Sequence, residues 1–201
     1  MNIDCNIDGS VDVTGCKLSV YPMSDQFATI ITDAIKQLNS LELPVWQKTD
    51  MFSTTYRGRQ ENVVNIVKAA CQLTYTDSTH TVYELTFSKG CPGDTDADHY
   101  LNEEITPIKL GKALPNMHVD CKYSFYAFGD ADYMKDIEKI VNMAEVKGLN
   151  PEGMHYATKL SGSVNDLFDY FNEALSYAHE HIHHYVMEVT ISVNSPSVSS
   201  N

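Results

Sequence analysis

Three groups of residues in this 201-residue chain have types and spacings that could do chemistry. The run His179-Glu180-His181-Ile182-His183-His184 is one, because imidazoles two apart on a strand point the same way and could share a metal ion. The loop Lys89-Gly90-Cys91-Pro92-Gly93-Asp94-Thr95 is another, with a thiol that could serve as a nucleophile. The third is a pair of hydroxyls. In Phe52-Thr54-Tyr56 and in Tyr156-Thr158-Leu160, a small Thr stands between two large side chains at period two. One outcome of that pattern is a hole with a hydrogen-bonding wall, and the other is a core Thr bonded to its own backbone. The backbone of the strand beside it, at Val20 and Phe125, would offer amide and carbonyl groups to a flat heterocycle if strand pairing is interrupted there.

An internal repeat discriminates among these groups. Cys16-Lys17 to Tyr21 lies over Cys121-Lys122 to Tyr126, Phe52 to Gly58 over Tyr156 to Gly162, and Val82 to Pro92 over Val186 to Pro196. In this register His179, His181 and His183 face Tyr75, Asp77 and Thr79, and only His184 has a counterpart, His80. The run therefore reads as a polar helix end entering a strand, not as a metal site. Cys91 falls opposite Ser195, and nothing in the sequence marks a partner histidine, so a turn after a strand is the better reading. Thr54 and Thr158 do recur. Phosphate-loop, dinucleotide, zinc-protease and nucleophile-elbow motifs are absent, so we expect no catalysis and no cofactor; a Cys- or metal-dependent enzyme is the alternative. Trp46 and the tyrosines Tyr21, Tyr56, Tyr126 and Tyr156 read as core or interface residues before stacking platforms.

The elements that must position the two threonines read alike in both copies. KLSVY and KYSFY alternate as half-buried strands. A helix follows, carrying Phe27, Ile30, Ile31, Ala34, Ile35 and Leu38 behind Ser24 as N-cap with Asp25 at its positive end, and Tyr133, Ile137, Ile140, Val141 and Ala144 behind Asp130. Two short strands come next, near Val45 to Lys48 and Phe52 to Arg57, then a second helix with Val63, Val67, Ala70 and Cys71 on one stripe, matched by Leu167, Phe171, Ala174 and Leu175. TVYELTFS and YVMEVTIS close the units. This order predicts an α+β fold, a tandem repeat of two ferredoxin-like βαββαβ units with antiparallel sheets. The expected organisation is an N-terminal extension (1–15), repeat one (16–95), a linker (96–119) that packs across both units, repeat two (120–197) and a tail (198–201). The polar rows Glu84-Thr86-Ser88 and Glu188-Thr190-Ser192 must face water, the other repeat or a second chain, so a homodimer is expected.

A net charge of −13 disfavours nucleic acid and anionic membranes as partners, and no apolar stretch is long enough for membrane insertion. Five cysteines with no CxxC pair suggest reduced thiols, and the first residues lack the pattern of a secretory signal, which together predict a cytoplasmic protein.

The segments LSVYPMSDQF (18–27), VWQKTDMFSTTYRG (45–58), FSKGCPGDTDADHYL (87–101), ADYM (131–134), HYATKLSG (155–162) and NSPS (194–197) resemble the YkoF-type family of thiamine- and hydroxymethylpyrimidine-binding proteins. The resemblance implies one site per repeat for thiamine or its pyrimidine, in a cytoplasmic homodimer linked to vitamin uptake or salvage, with a transporter or salvage enzyme as the candidate partner, without catalysis. By match to the family it implies a first site at Val20 and Thr54, with Ser19, Tyr21, Asp50 and Ser53 beside them. It implies a second at Phe125 and Thr158, with Ser124, Tyr126 and His155 beside them. Copy two has YAFGD where copy one has YPMSD, and Met154-His155 where copy one has Asp50-Met51, so the two sites should differ in affinity. A regulatory module that reports ligand occupancy to a protein partner is a further alternative.

Overall fold

In the computed structural model, which describes residues 12–91, 95–111, 113–129 and 132–197, each half of the chain folds as strand, helix, two strands, helix, strand. Repeat one comprises β1 (Thr14–Pro22), α1 (Phe27–Asn39), β2 (Trp46–Thr49), β3 (Thr54–Gly58), α2 (Gln60–Thr74) and β4 (Thr81–Lys89). A 3-10 helix (Thr95–Asn102) leads to repeat two: β5 (His118–Phe128), α3 (Tyr133–Val146), β6 (Glu152–Met154), β7 (Ala157–Ser163), α4 (Val164–His181) and β8 (His184–Val193). This is the tandem ferredoxin-like architecture expected from the order of elements.

The eight strands form one antiparallel sheet in the order β2-β3-β1-β4-β8-β5-β7-β6, so the repeats join edge to edge through β4 and β8. Alternation dictates the two faces. Tyr83, Leu85 and Phe87 lie opposite Ile191, Val189 and Met187, and all six are buried beneath the helices. The intervening Glu84, Thr86, Glu188 and Thr190 point away from the helices, and among the described residues no helix covers that face. Helices α2 and α4 meet over the junction, where Phe87 and Phe171 rings lie 5.9 Å apart. Gln60 Nε2 donates across the repeats to the Asn172 carbonyl (3.0 Å) and to Ser176 Oγ (2.8 Å). Each large side chain so enclosed contributes about 1.5–3 kcal/mol of hydrophobic stabilisation, which makes the junction a core and not a contact between separate bodies.

The linker crosses both repeats. Asn62, fully buried on α2, donates to the Glu104 carbonyl (3.0 Å) and accepts from the Thr106 amide (2.9 Å). Gln72 donates to the Pro115 carbonyl (2.8 Å), and Asn116 Oδ1 accepts from the amide of Asn165 on α4 (3.1 Å).

Several local expectations are corrected. Ser24 does not cap α1. Its Oγ accepts from the Gln26 amide (3.1 Å) within the turn after β1, the helix begins at Phe27, and Asp25 lies before its first turn. Asp130 falls outside the described residues, and Asp132 precedes α3 without a side-chain cap bond. The β2–β3 hairpin is shifted: β2 extends to Thr49 and β3 starts at Thr54. Phe52 is excluded from the strand because Asp50 Oδ1 accepts from the amides of Phe52 (2.8 Å) and Ser53 (2.9 Å), closing an Asx-type tip. Thr54 is therefore not flanked by two inward aromatics on one strand. Tyr156 likewise sits before β7, in a left-handed conformation (φ 64°) and almost wholly exposed.

Candidate functional site

The apolar stripe of α1 meets too little protein. Ala34 and Leu38 are buried, but Phe27, Ile31 and Ile35 face a cavity of about 400 Å³ between the helix, the end of β1 and the β2–β3 hairpin. Ser19, Val20, Tyr21, Asp50, Ser53 and Thr54 all line it. Volume and lining are those of a small-molecule site, with an apolar body and a few polar groups.

Strand pairing is interrupted at this cavity. The β1–β3 register ends at Leu18 opposite Thr54, whereas β1 stays paired with β4 through Pro22. The Met23 amide donates to the His80 carbonyl (2.9 Å), in register with Tyr21 opposite Val82, so odd-numbered residues of β1 bond to β4. Val20 consequently turns its N–H and C=O to the other side, where β3 has ended. Thr54 Oγ1 pairs with Thr49 Oγ1 (3.0 Å); since two hydroxyls share one proton in that bond, the pair retains a donor and acceptors for a third group. Behind them Tyr56 is buried, and burial pushes its phenol up to about 12, so it remains a neutral hydroxyl. The mouth is formed by the hairpin tip. Ser19 Oγ donates to the Phe52 carbonyl (2.9 Å) and tethers it, leaving Met51 (87 % exposed) and Phe52 (77 %) at the entrance. The Phe52 and Ser53 amides hold the Asp50 carboxyl below its usual range, so the rim carries a negative charge.

Larger side chains stand at several of the equivalent positions in repeat two. Leu18, Val20, Ala34 and Ile66 correspond to Tyr123, Phe125, Ile140 and Tyr170, each larger and each buried. Phe125 is 8 % exposed and stacks on Tyr185 at 5.6 Å. Tyr170 donates to the Tyr123 hydroxyl (2.8 Å), which is also hydrogen-bonded to Thr158, so Thr158 faces a tyrosine pair where Thr54 faces a cavity. The trade runs the other way at Leu38 and Tyr56, replaced by Ala144 and Leu160. The tether recurs: Ser124 Oγ donates to the Tyr156 carbonyl (2.7 Å). The β5–β7 register stops at Tyr123 opposite Thr158, leaving Phe125 beyond the pairing as Val20 is. Ser124 and His155 line a different cavity, about 460 Å³ on the uncovered face, with Glu84, Lys122 and Glu188. Tyr126 lies exposed on that face. The structure thus gathers the six residues expected of a first site around one cavity and places the five expected of a second on both sides of the sheet.

The profile of the YkoF-related family matches residues 13–94 and again 118–198, once for each repeat. The chain belongs to the YkoF-related family. A Bacillus subtilis (strain 168) member, provisionally named HMP/thiamine-binding protein YkoF, is 34 % identical over 194 residues, 96 % of this chain and 96 % of that protein. The family's twofold profile coincides with the two halves of the sheet.

Within this member of the family, the histidine run divides among partners. His181 Nδ1 lies 2.8 Å from the Tyr177 carbonyl with its ring stacked on Tyr177, while His184 rests against Phe128. Among the described residues no cluster of three or more His, Cys, Asp or Glu could hold a metal ion. Cys91 requires a correction: a histidine does stand beside it, with Sγ 3.3 Å from His184 Nε2. Local pattern could not reveal this, because the partner comes from the other repeat. Sequence reasoning also missed Thr49, Met51 and Ile31 as cavity residues. The surplus apolar stripe on α1 was the available signal.

Proposed function

We propose that the repeat-one cavity binds the aminopyrimidine of thiamine or of free hydroxymethylpyrimidine, and that this chain is a non-catalytic carrier or sensor. The observation that carries the reading is the interrupted pairing at Val20 beside an apolar cavity. An aminopyrimidine presents an amino donor next to a ring-nitrogen acceptor, complementary to the C=O and N–H of one strand residue. Leu18, Ile31 and Ile35 offer apolar contact to its faces, and the Thr49–Thr54 pair a further polar group. A thiazolium would point to the mouth, where Asp50 and the net charge of −13 favour a cation. The name of the Bacillus relative points to the same ligands.

On this reading repeat two holds a second, weaker site, because the larger Phe125 and Ile140 reduce its volume. The reading extends to a cytoplasmic role in vitamin uptake or salvage, with repeats at 16–95 and 120–197. It extends also to a homodimer, which sedimentation or light scattering tests. Isothermal titration with thiamine and with hydroxymethylpyrimidine tests the ligand. One tight event per chain and a weaker second are expected. Absence of heat and of thermal stabilisation with both compounds at high protein concentration rejects the proposal.

A further inference from the structure

At the end of the junction between the repeats, where β4 stops and β8 starts, three side chains converge that the cavity does not use. Cys91 Sγ lies 3.3 Å from His184 Nε2 and accepts a hydrogen bond from Ser88 Oγ at 3.2 Å. The backbone is shaped for this approach. Gly90 has φ +88°, and a Cβ there would fall 2.9 Å from His184 Cβ, so glycine is required for the chain to pass this close to the imidazole. Phe128 braces the other side of the ring at 4.8 Å between centroids. Cys91 is exposed, whereas Cys16, Cys71 and Cys121 are buried. The equivalent of Cys91 in repeat two is Ser195, so the arrangement belongs to one copy.

A thiol within reach of an imidazole base, with a second donor aimed at its sulfur and solvent access, is the arrangement of an activated nucleophile. We propose that Cys91 is a reactive thiol that captures small disulfides as a mixed disulfide, with His184 as the proton acceptor. The Cys91 proton passes to His184 Nε2, and the thiolate attacks one sulfur of R–S–S–R. A new Sγ–S bond forms as the old S–S bond breaks. The electron pair leaves on RS⁻, which is released as RSH once protonated. Cys91 is oxidised and the leaving thiol is reduced, so no other oxidant is needed. The reaction is a single stoichiometric modification, independent of the vitamin-binding reading.

The test is incubation of the full chain with hydroxyethyl disulfide, a neutral probe that the protein's negative field does not repel, followed by peptide-resolved mass spectrometry. Peptide resolution separates Cys91 from Cys5 and from the buried thiols. Modification of Cys91 should outpace that of an unstructured peptide of the same local sequence, and His184→Asn should slow it by about tenfold or more. Cys91→Ser should abolish the adduct at this position and leave the thermal midpoint and vitamin titration unchanged. Should His184→Asn fail to fold, the same labelling in urea serves, since loss of the His184 contact should reduce the Cys91 rate to that of the peptide. An unmodified Cys91, a rate equal to the peptide's, or a rate indifferent to His184 and to denaturant overturns the proposal.

Discussion

The position occupied by Val20 in one repeat, where it lines the cavity, is taken in the other by the larger, buried Phe125. Transplanting it is the most direct test of the site: Val20→Phe should weaken ligand binding at least about tenfold in a titration while the fold persists, because the ring enters existing empty space. Thr54→Val keeps shape and removes one hydroxyl; the expected loss is about 1 kcal/mol of binding, read in the same titration. A third residue governs stability. Burial, and then the charge of Lys89, lower the pKa of His179 from 6.5, so the folded state takes up this proton less readily than the unfolded chain. Its contribution is fully present above about 6.5 and declines as pH falls through that value towards the lower folded pKa. Urea denaturation from pH 7.5 down to 5.5 should show stability falling, and His179→Gln should flatten the slope; an unchanged slope would contradict this assignment.

The β2–β3 hairpin is the element on which access to the cavity depends. Two fastenings hold its tip, the Asp50 carboxylate on the Phe52 and Ser53 amides and the Ser19 hydroxyl on the Phe52 carbonyl. Asp50→Ala removes the first. Bound ligand should then dissociate several-fold faster in stopped-flow fluorescence, with little change in global stability because the tip is exposed. The same carboxylate sets a pH window. Its pKa is lowered from 3.8, so its bracing of the tip is constant above that value and is lost as pH falls through the still lower folded pKa; this contribution to affinity should not vary between pH 7 and 5. Strands and helices were legible here because period-two and helical patterns mark which face must be buried. The tip and the helix start were not, because Asp50 and Ser24 each choose among several nearby amides, and only the folded turn decides which they accept from.

For the whole molecule, the shared sheet has a thermodynamic consequence. With β4 paired to β8, α2 packed on α4 and the linker bonded to both repeats, unfolding one half exposes the core of the other. Denaturation followed by Trp46 fluorescence, which reports repeat one, should therefore coincide with far-UV circular dichroism, which reports both. Two separated transitions would show that the junction does not couple the halves.

The sequence by itself determined the duplication, the order of elements in each copy and the polar and apolar faces of their strands. These follow from local periodicity and from comparing one half of the chain with the other. Tertiary structure alone decided that the two sheets fuse through β4 and β8, that a cavity opens beside Val20 where β3 has ended, and that His184 stands beside Cys91. Each of these depends on residues distant along the chain meeting at a particular distance, and spacing within a segment carries no record of that.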